Sequence, residues 1–269
     1  VVESKVLSQA LLSQMNVVVT SPRRMGKTAL VDFVFQQEVI QKDYFTIDVD
    51  ILHTTCFKEF IYALGTAAYD KIASRSDKMK RLFIATLRSL SASFGYDPIQ
   101  NTPTFDIKLG DITTPDYTLR EIFNFMEQAD KRCLVVIDEF QQITKYPEKN
   151  IEAVLRSYIQ KMSNANFVFA GSQRTVLEEM FLSSRRPFFQ SAKLMQLDAI
   201  ELSVYQDFVV EHFREGGKDI NPEAVEVAYR SFRGVTLYMQ RVMKDAYATT
   251  PQGATCDERL VEQLIDDFV

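Results

Sequence analysis

Three cysteines and two histidines are all that this 269-residue chain offers a soft metal or a disulfide framework. Cys56, Cys133 and Cys256 stand far apart without metal-ligand spacing, and an odd, sparse count suits a reducing compartment better than a disulfide scaffold. With only His53 and His212 beside them, a zinc site is not expected. No signal peptide is recognisable and no apolar run is long enough to span a bilayer, so the expected location is the cytoplasm, with no membrane partner. An excess of basic charge is missing as well. The balance is −5, which argues against wholesale nucleic-acid binding as the main task and leaves room only for a local basic patch. What remains is an ordinary globular composition, 46% hydrophobic and 25% charged, on a chain long enough for one α/β domain and a smaller appendage. The first residue is not Met and the last falls inside an apolar-periodic segment, so both ends read as cut.

The stretch Asn16 to Val31 organises the rest. The β-branched run Val17 to Val19 reads as a strand, and Thr28 through Leu30, Val31, Phe33, Val34 and Ile40 reads as a helix. Between them lies Ser21-Pro22-Arg23-Arg24-Met25-Gly26-Lys27-Thr28, a phosphate-binding loop of the form G-x-x-x-x-G-K-[ST] with serine in place of the first glycine. Successive N–H groups in such a loop point inward at an anion, and the following helix N-terminus adds its positive end. The stretch Ser21 to Ala29 is therefore the candidate nucleotide-binding segment. Lys27 would reach the β and γ phosphates and Thr28 would ligate magnesium.

A second site comes from Cys133 to Glu139, a continuous apolar run closed by two carboxylates, as expected of a strand buried on both faces whose carboxyl end reaches a ligand. Alternation along the strand would aim the two acids apart, with Asp138 in the magnesium shell and Glu139 activating water. Asn166 to Gln173 is a further buried strand ending in polar residues, where Ser172 or Gln173 could sense the γ-phosphate. The loop Ser183 to Gln190 carries Arg185 and Arg186, either of which could stabilise transition-state charge, and Lys193 to Leu197 gives a fifth strand.

Elsewhere, Val6 to Met15 reads as a short helix and Tyr44 to Asp50 as a strand whose acidic end is solvated. Phe57 to Leu90 is helical, and its basic cluster of Lys71, Arg75, Lys78, Lys80, Arg81 and Arg88 reads as a solvated face. Phe94 to Thr114, with Pro98, Pro103 and Gly110, reads as an irregular insertion holding a small hairpin. Thr118 with Glu121 has the spacing of a capping box. Beyond Ala199 only helices are expected, opened by Ser203 with Gln206, by Asn221-Pro222, after Gly234, and from about Glu258.

Taken together, the chain resembles the archaeal-type ATPases, a prokaryotic family related to AAA+ proteins and to the signal-transduction ATPases with numerous domains (STAND). The resemblance rests on the Pro-Arg-Arg inside the loop, on Leu134 to Glu139, on Phe169-Ala170-Gly171-Ser172, on Arg186-Pro187-Phe188-Phe189, and on Gly234-Val235-Thr236, where the family's Gly-x-Pro would stand. It implies a three-layer P-loop NTPase core with a five-stranded parallel sheet in the order 5-1-4-3-2. The core would span residues 1–199, with an insertion at about 53–115, and a helical lid would follow over 200–269, cut before a winged helix. Hydrolysis of ATP to ADP as a conformational switch is implied, with Mg2+ as cofactor. Lys27, Glu139, Ser172 and Arg185 would act in catalysis, and Thr28 and Asp138 would hold the metal. A protein partner would bind through the lid or a further domain, and DNA weakly through the winged helix. Ser21, Thr236 and Gln190-Ser191 depart from the family pattern. The competing reading is a non-hydrolysing nucleotide-binding scaffold that recruits a protein or DNA. A small-molecule phosphotransferase is disfavoured by the adjacent Asp138-Glu139, and a GTPase by the absence of Asn-Lys-x-Asp.

Overall fold

Strands with apolar side chains on both faces need a layer of helices on each side. Three such strands, β1 (Val17–Thr20), β3 (Arg132–Asp138) and β4 (Ala165–Gly171), and two more exposed edge strands, β2 (Tyr44–Asp50) and β5 (Lys193–Gln196), form the central sheet, all parallel. Their spatial order is β2-β3-β4-β1-β5, which is the expected 5-1-4-3-2 taken from the other edge. This computed structural model describes residues 2–97, 102–105 and 107–268. The chain divides into two compact units, Val1–Ser21 with Thr28–Gln196, and Pro22–Lys27 with Leu197–Val269.

In the first unit the two faces of the sheet bury different residues. Cys133, Val135 and Ile137 of β3 and Phe167 and Phe169 of β4 face one core, packed with Phe60, Ile61 and Leu64 of helix Phe57–Lys71 and Ile122, Phe125 and Met126 of helix Pro115–Glu127. Leu134, Val136, Val168, Ala170, Val17 and Val19 face the other, against Val31, Val34 and Phe35 of helix Lys27–Phe35 and Leu7 and Leu11 of helix Val2–Leu12. Full burial of each such Leu or Phe contributes roughly 1.5–3 kcal/mol, so the alternation of β3 and β4 fixes their register strongly.

The segment expected to be an insertion forms two helices, Phe57–Lys71 and Asp77–Thr86, and the hairpin Phe94–Asp97 with Thr102–Phe105. Pro98, expected within it, lies outside the described residues. The basic face is solvated and locally paired, Lys71 with Asp48 at 3.6 Å and Lys78 with Asp130 at 4.0 Å. Asp50 is exposed and accepts the Leu52 N–H at 2.8 Å.

Thr118 and Glu121 do not form a capping box. The helix begins earlier, at Pro115 after the N-cap Thr114, because proline at the first position needs no hydrogen bond there. Glu121 instead accepts the backbone N–H groups of Arg88 (3.2 Å) and Ser89 (3.0 Å), 33 and 32 residues away.

The second unit holds helices Leu202–Glu215, Pro222–Ser231, Thr236–Thr249 and Glu258–Asp266 around Val209, Phe213, Ala228, Met239, Val242 and Val261. It is not helical throughout, because Asp219–Ile220 and Thr255–Cys256 pair as a two-residue parallel ladder. Among the described residues no helix is long and apolar enough to cross a membrane.

Candidate functional site

At the carboxyl end of β1, Thr20 and Ser21 are buried, and the Ser21 N–H reaches the Gly171 carbonyl at 3.4 Å, continuing the β1–β4 ladder by one step. Ser21 is not in the left-handed region; the residues that are, in this loop, are Arg24 (φ 69°) and Gly26 (φ 89°). Serine is thus tolerated where glycine was expected because the sharp reversal falls later. A Cβ on Gly26 would point into open space, so the constraint there is the backbone conformation alone. Helix Lys27–Phe35 starts at once, with Lys27 buried and Thr28 and Ala29 exposed. Its first N–H groups have no partner within the helix, and two left-handed residues, Arg24 and Gly26, precede it.

Within the second unit, the loop backbone is tied to helix Thr236–Thr249. The Leu237 N–H donates to the Arg24 carbonyl at 3.1 Å, the Thr236 hydroxyl donates to the Met25 carbonyl at 3.5 Å, and the Arg24 guanidinium lies 5.1 Å from the centre of the Tyr238 ring. A left-handed non-glycine residue costs roughly 1–2 kcal/mol, and these contacts offset it.

In the first unit, Asp138 ends β3. Its Oδ1 accepts the Glu139 N–H at 2.8 Å and its Oδ2 faces the Thr28 hydroxyl at 3.4 Å. Glu139 has left the strand, at φ 56°, so the expected strand alternation does not decide its direction; a left-handed turn does. Its Oε2 accepts from Ser172 Oγ at 2.8 Å and from Gln141 Nε2 at 2.5 Å. The carboxyl ends of β1, β3 and β4 thus converge where the strand order doubles back, the usual place for a ligand in an open parallel sheet.

Of the two polar residues after β4, Ser172 meets Glu139, whereas Gln173 is exposed and stands at the N-cap of helix Arg174–Leu182. The two arginines also part. Arg186 pairs with Glu152 at 2.6 Å and lies 3.8 Å from Glu179, and burial pushes the Glu152 carboxyl up, partly offset by Arg186. Arg185 is exposed. Gln141 is the residue the sequence reading missed. Its local signal, one of two adjacent amides between Phe140 and Ile143, does not distinguish it from Gln142.

The donor chemistry fits a nucleotide with magnesium. A hydroxyl and a carboxylate are hard oxygen ligands, and magnesium is commonly held by one or two protein groups together with phosphate rather than by a full protein cage. The buried hydroxyls of Thr20 and Ser21 have no hydrogen-bond partner, so this strand end retains unused polar capacity.

A family model described as an ATPase domain predominantly from Archaea matches residues 6–242. The chain belongs to that family. This P-loop ATPase has no match among curated protein sequences. Solved structures show its fold again. A Walker-type ATPase of Pyrococcus abyssi is 15% identical over 99% of this chain and 71% of its own, with a TM-score of 0.66. The Aeropyrum pernix ORC2 protein, solved in ADPNP-ADP complexes, is 14% identical over 98% of this chain and 66% of its own, at 0.61. The RuvB Holliday junction branch migration motor of Thermotoga maritima is 15% identical over 98% and 67%, at 0.53. This ATPase chain therefore spans about two-thirds of the length of these structures, and at such identities the likeness is one of fold.

Proposed function

We propose that this ATPase hydrolyses ATP as a conformational switch of the AAA+/STAND kind, with Glu139 as the base. The observation that carries the reading is the Glu139 carboxylate, anchored by Ser172 beside an Asp138 that faces the Thr28 hydroxyl. In this reading residues 1–199 are the catalytic core and 200–269 a lid that transmits the nucleotide state. The loop from Ser21 to Ala29 wraps the phosphates, and Lys27 supplies positive charge against the β and γ phosphates. Thr28 and Asp138 would hold Mg2+, which when bound would offset negative charge on the phosphates. Glu139 takes the proton of the attacking water as its oxygen bonds to the γ-phosphorus and the bond to ADP breaks. Ser172 keeps Glu139 in place and senses the γ-phosphate, and Arg185, exposed on its loop, meets the transition-state charge.

The Aeropyrum pernix ORC1 protein, solved in complex with DNA, shares the fold at 12% identity and a TM-score of 0.60. A protein partner or DNA would engage this ATPase through the lid or through a winged helix beyond residue 269, in the cytoplasm.

Phosphate release measured beside the binding of a fluorescent ATP analogue tests the reading. Loss of a general base typically costs about 10²–10⁴ in rate, so Glu139→Gln is expected to abolish most turnover while leaving binding within about twofold. A wild type that binds ATP and turns it over no faster than Glu139→Gln would return the chain to the scaffold class.

A further inference from the structure

We infer that Gln141 is a positioning residue for Glu139, an inference that rests on Glu139 being the base. Gln141 lies in the short 3-10 helix Phe140–Lys145 and is 1% exposed. Its Nε2 donates to Glu139 Oε2 at 2.5 Å, the same oxygen that Ser172 Oγ reaches from the end of β4. Two donors from separate elements therefore converge on one edge of the carboxylate. A glutamate on a left-handed turn has three side-chain torsions to fix, and a hydroxyl, which rotates, fixes fewer of them than an amide locked in the core.

The fold makes room for this amide at some expense. A Cβ built on Gly171 would lie 2.0 Å from Gln141 Oε1, so the glycine that ends β4 leaves room for the amide where it stands. Gln141 Oε1 is itself buried without a hydrogen-bond partner. An apolar side chain of the same shape would fill the space without stranding an acceptor, so packing alone does not account for glutamine here. The donor on its other end does.

Gln141→Met keeps the shape and removes the donor, and Gln141→Leu is the second variant should the first fold poorly. Steady-state ATP hydrolysis is expected to show kcat reduced about tenfold or more with the KM for ATP and the affinity for ADP unchanged, because Glu139 is misaimed while the phosphate loop is untouched. The melting temperature should hold or rise. In a Glu139→Gln background the same change should have no further effect on residual turnover, since there is no base left to aim. A purely structural role would instead lower the melting temperature and multiply through both backgrounds. Unchanged or increased kcat in Gln141→Met and Gln141→Leu, with wild-type turnover well above Glu139→Gln, overturns this inference alone. Wild-type turnover no higher than Glu139→Gln removes the base assignment and this inference with it.

Discussion

Ser21 and Gly26 show how one loop distributes its conformational demands. The first takes a serine because its φ is not left-handed, and the second sits at φ 89°, where a side chain is strained whatever the space around it. Ser21→Gly is therefore expected to leave ATP affinity within about threefold and to lose roughly 0.5–1 kcal/mol of stability, through the larger freedom of glycine in the unfolded chain. Gly26→Ala is expected to lower ATP affinity by at least about tenfold, at a strain of roughly 1–2 kcal/mol that either unfolds the loop locally or rotates its amides away. Calorimetric titration with ATP and thermal melts of both variants check the pair. Equal affinity losses at the two positions would contradict it.

The helix Pro115–Glu127 carries two carboxylates whose partners lie far along the chain. Glu127 accepts the Ser163 hydroxyl and N–H and the Asn164 N–H, clamping the helix end to the turn that enters β4. Burial alone would raise its carboxyl, but the hydrogen bonds from Ser163 and Asn164, aided by the Arg132 charge, outweigh it and hold the group below its usual value of 4.5. A depressed folded value means stability that is fully present above the unfolded value and is lost as pH falls through the folded one. Glu127→Gln should accordingly lower the melting temperature at pH 7, and the gap to wild type should close as the pH drops below the ordinary carboxylate range. A gap that stays constant down that series would mean the contact is not ionic.

These elements also mark where sequence is legible. The strands were, because β3 and β4 hold the apolar runs Cys133 to Ile137 and Phe167 to Ala170, followed by Asp-Glu and Gly-Ser, and no short-range competitor explains such runs. So was the approach of Thr28 to Asp138, which follows once parallel strands end together. Glu121 was misread because spacing from Thr118 is a local pattern, while its actual partners at Arg88 and Ser89 are set by packing. The turn that aims Glu139 is illegible for a related reason. A left-handed turn at a non-glycine residue leaves no mark in composition, and its support from Gln141 and Ser172 is assembled only by the fold.

At the scale of the whole molecule, ligand binding and stability are one equilibrium. A ligand present at a hundred times its Kd adds about 2.7 kcal/mol to the folded state, so ATP with magnesium should raise the melting temperature by several degrees. Chelating the metal should remove much of that shift, and GTP should give less of it. No shift with any nucleotide would contradict the assignment of the loop. The partition of the chain carries a different consequence. The boundary between the two units is crossed after Ser21, after Lys27 and after Gln196, so Pro22–Lys27 belongs with a segment that begins some 170 residues later in sequence. The helical unit is not a cassette that can be exchanged or trimmed at a single joint. A chimera that takes residues 197–269 from a relative inherits new neighbours for Arg24 and Met25, and it would keep a native phosphate loop only if the six residues Pro22–Lys27 travelled with it.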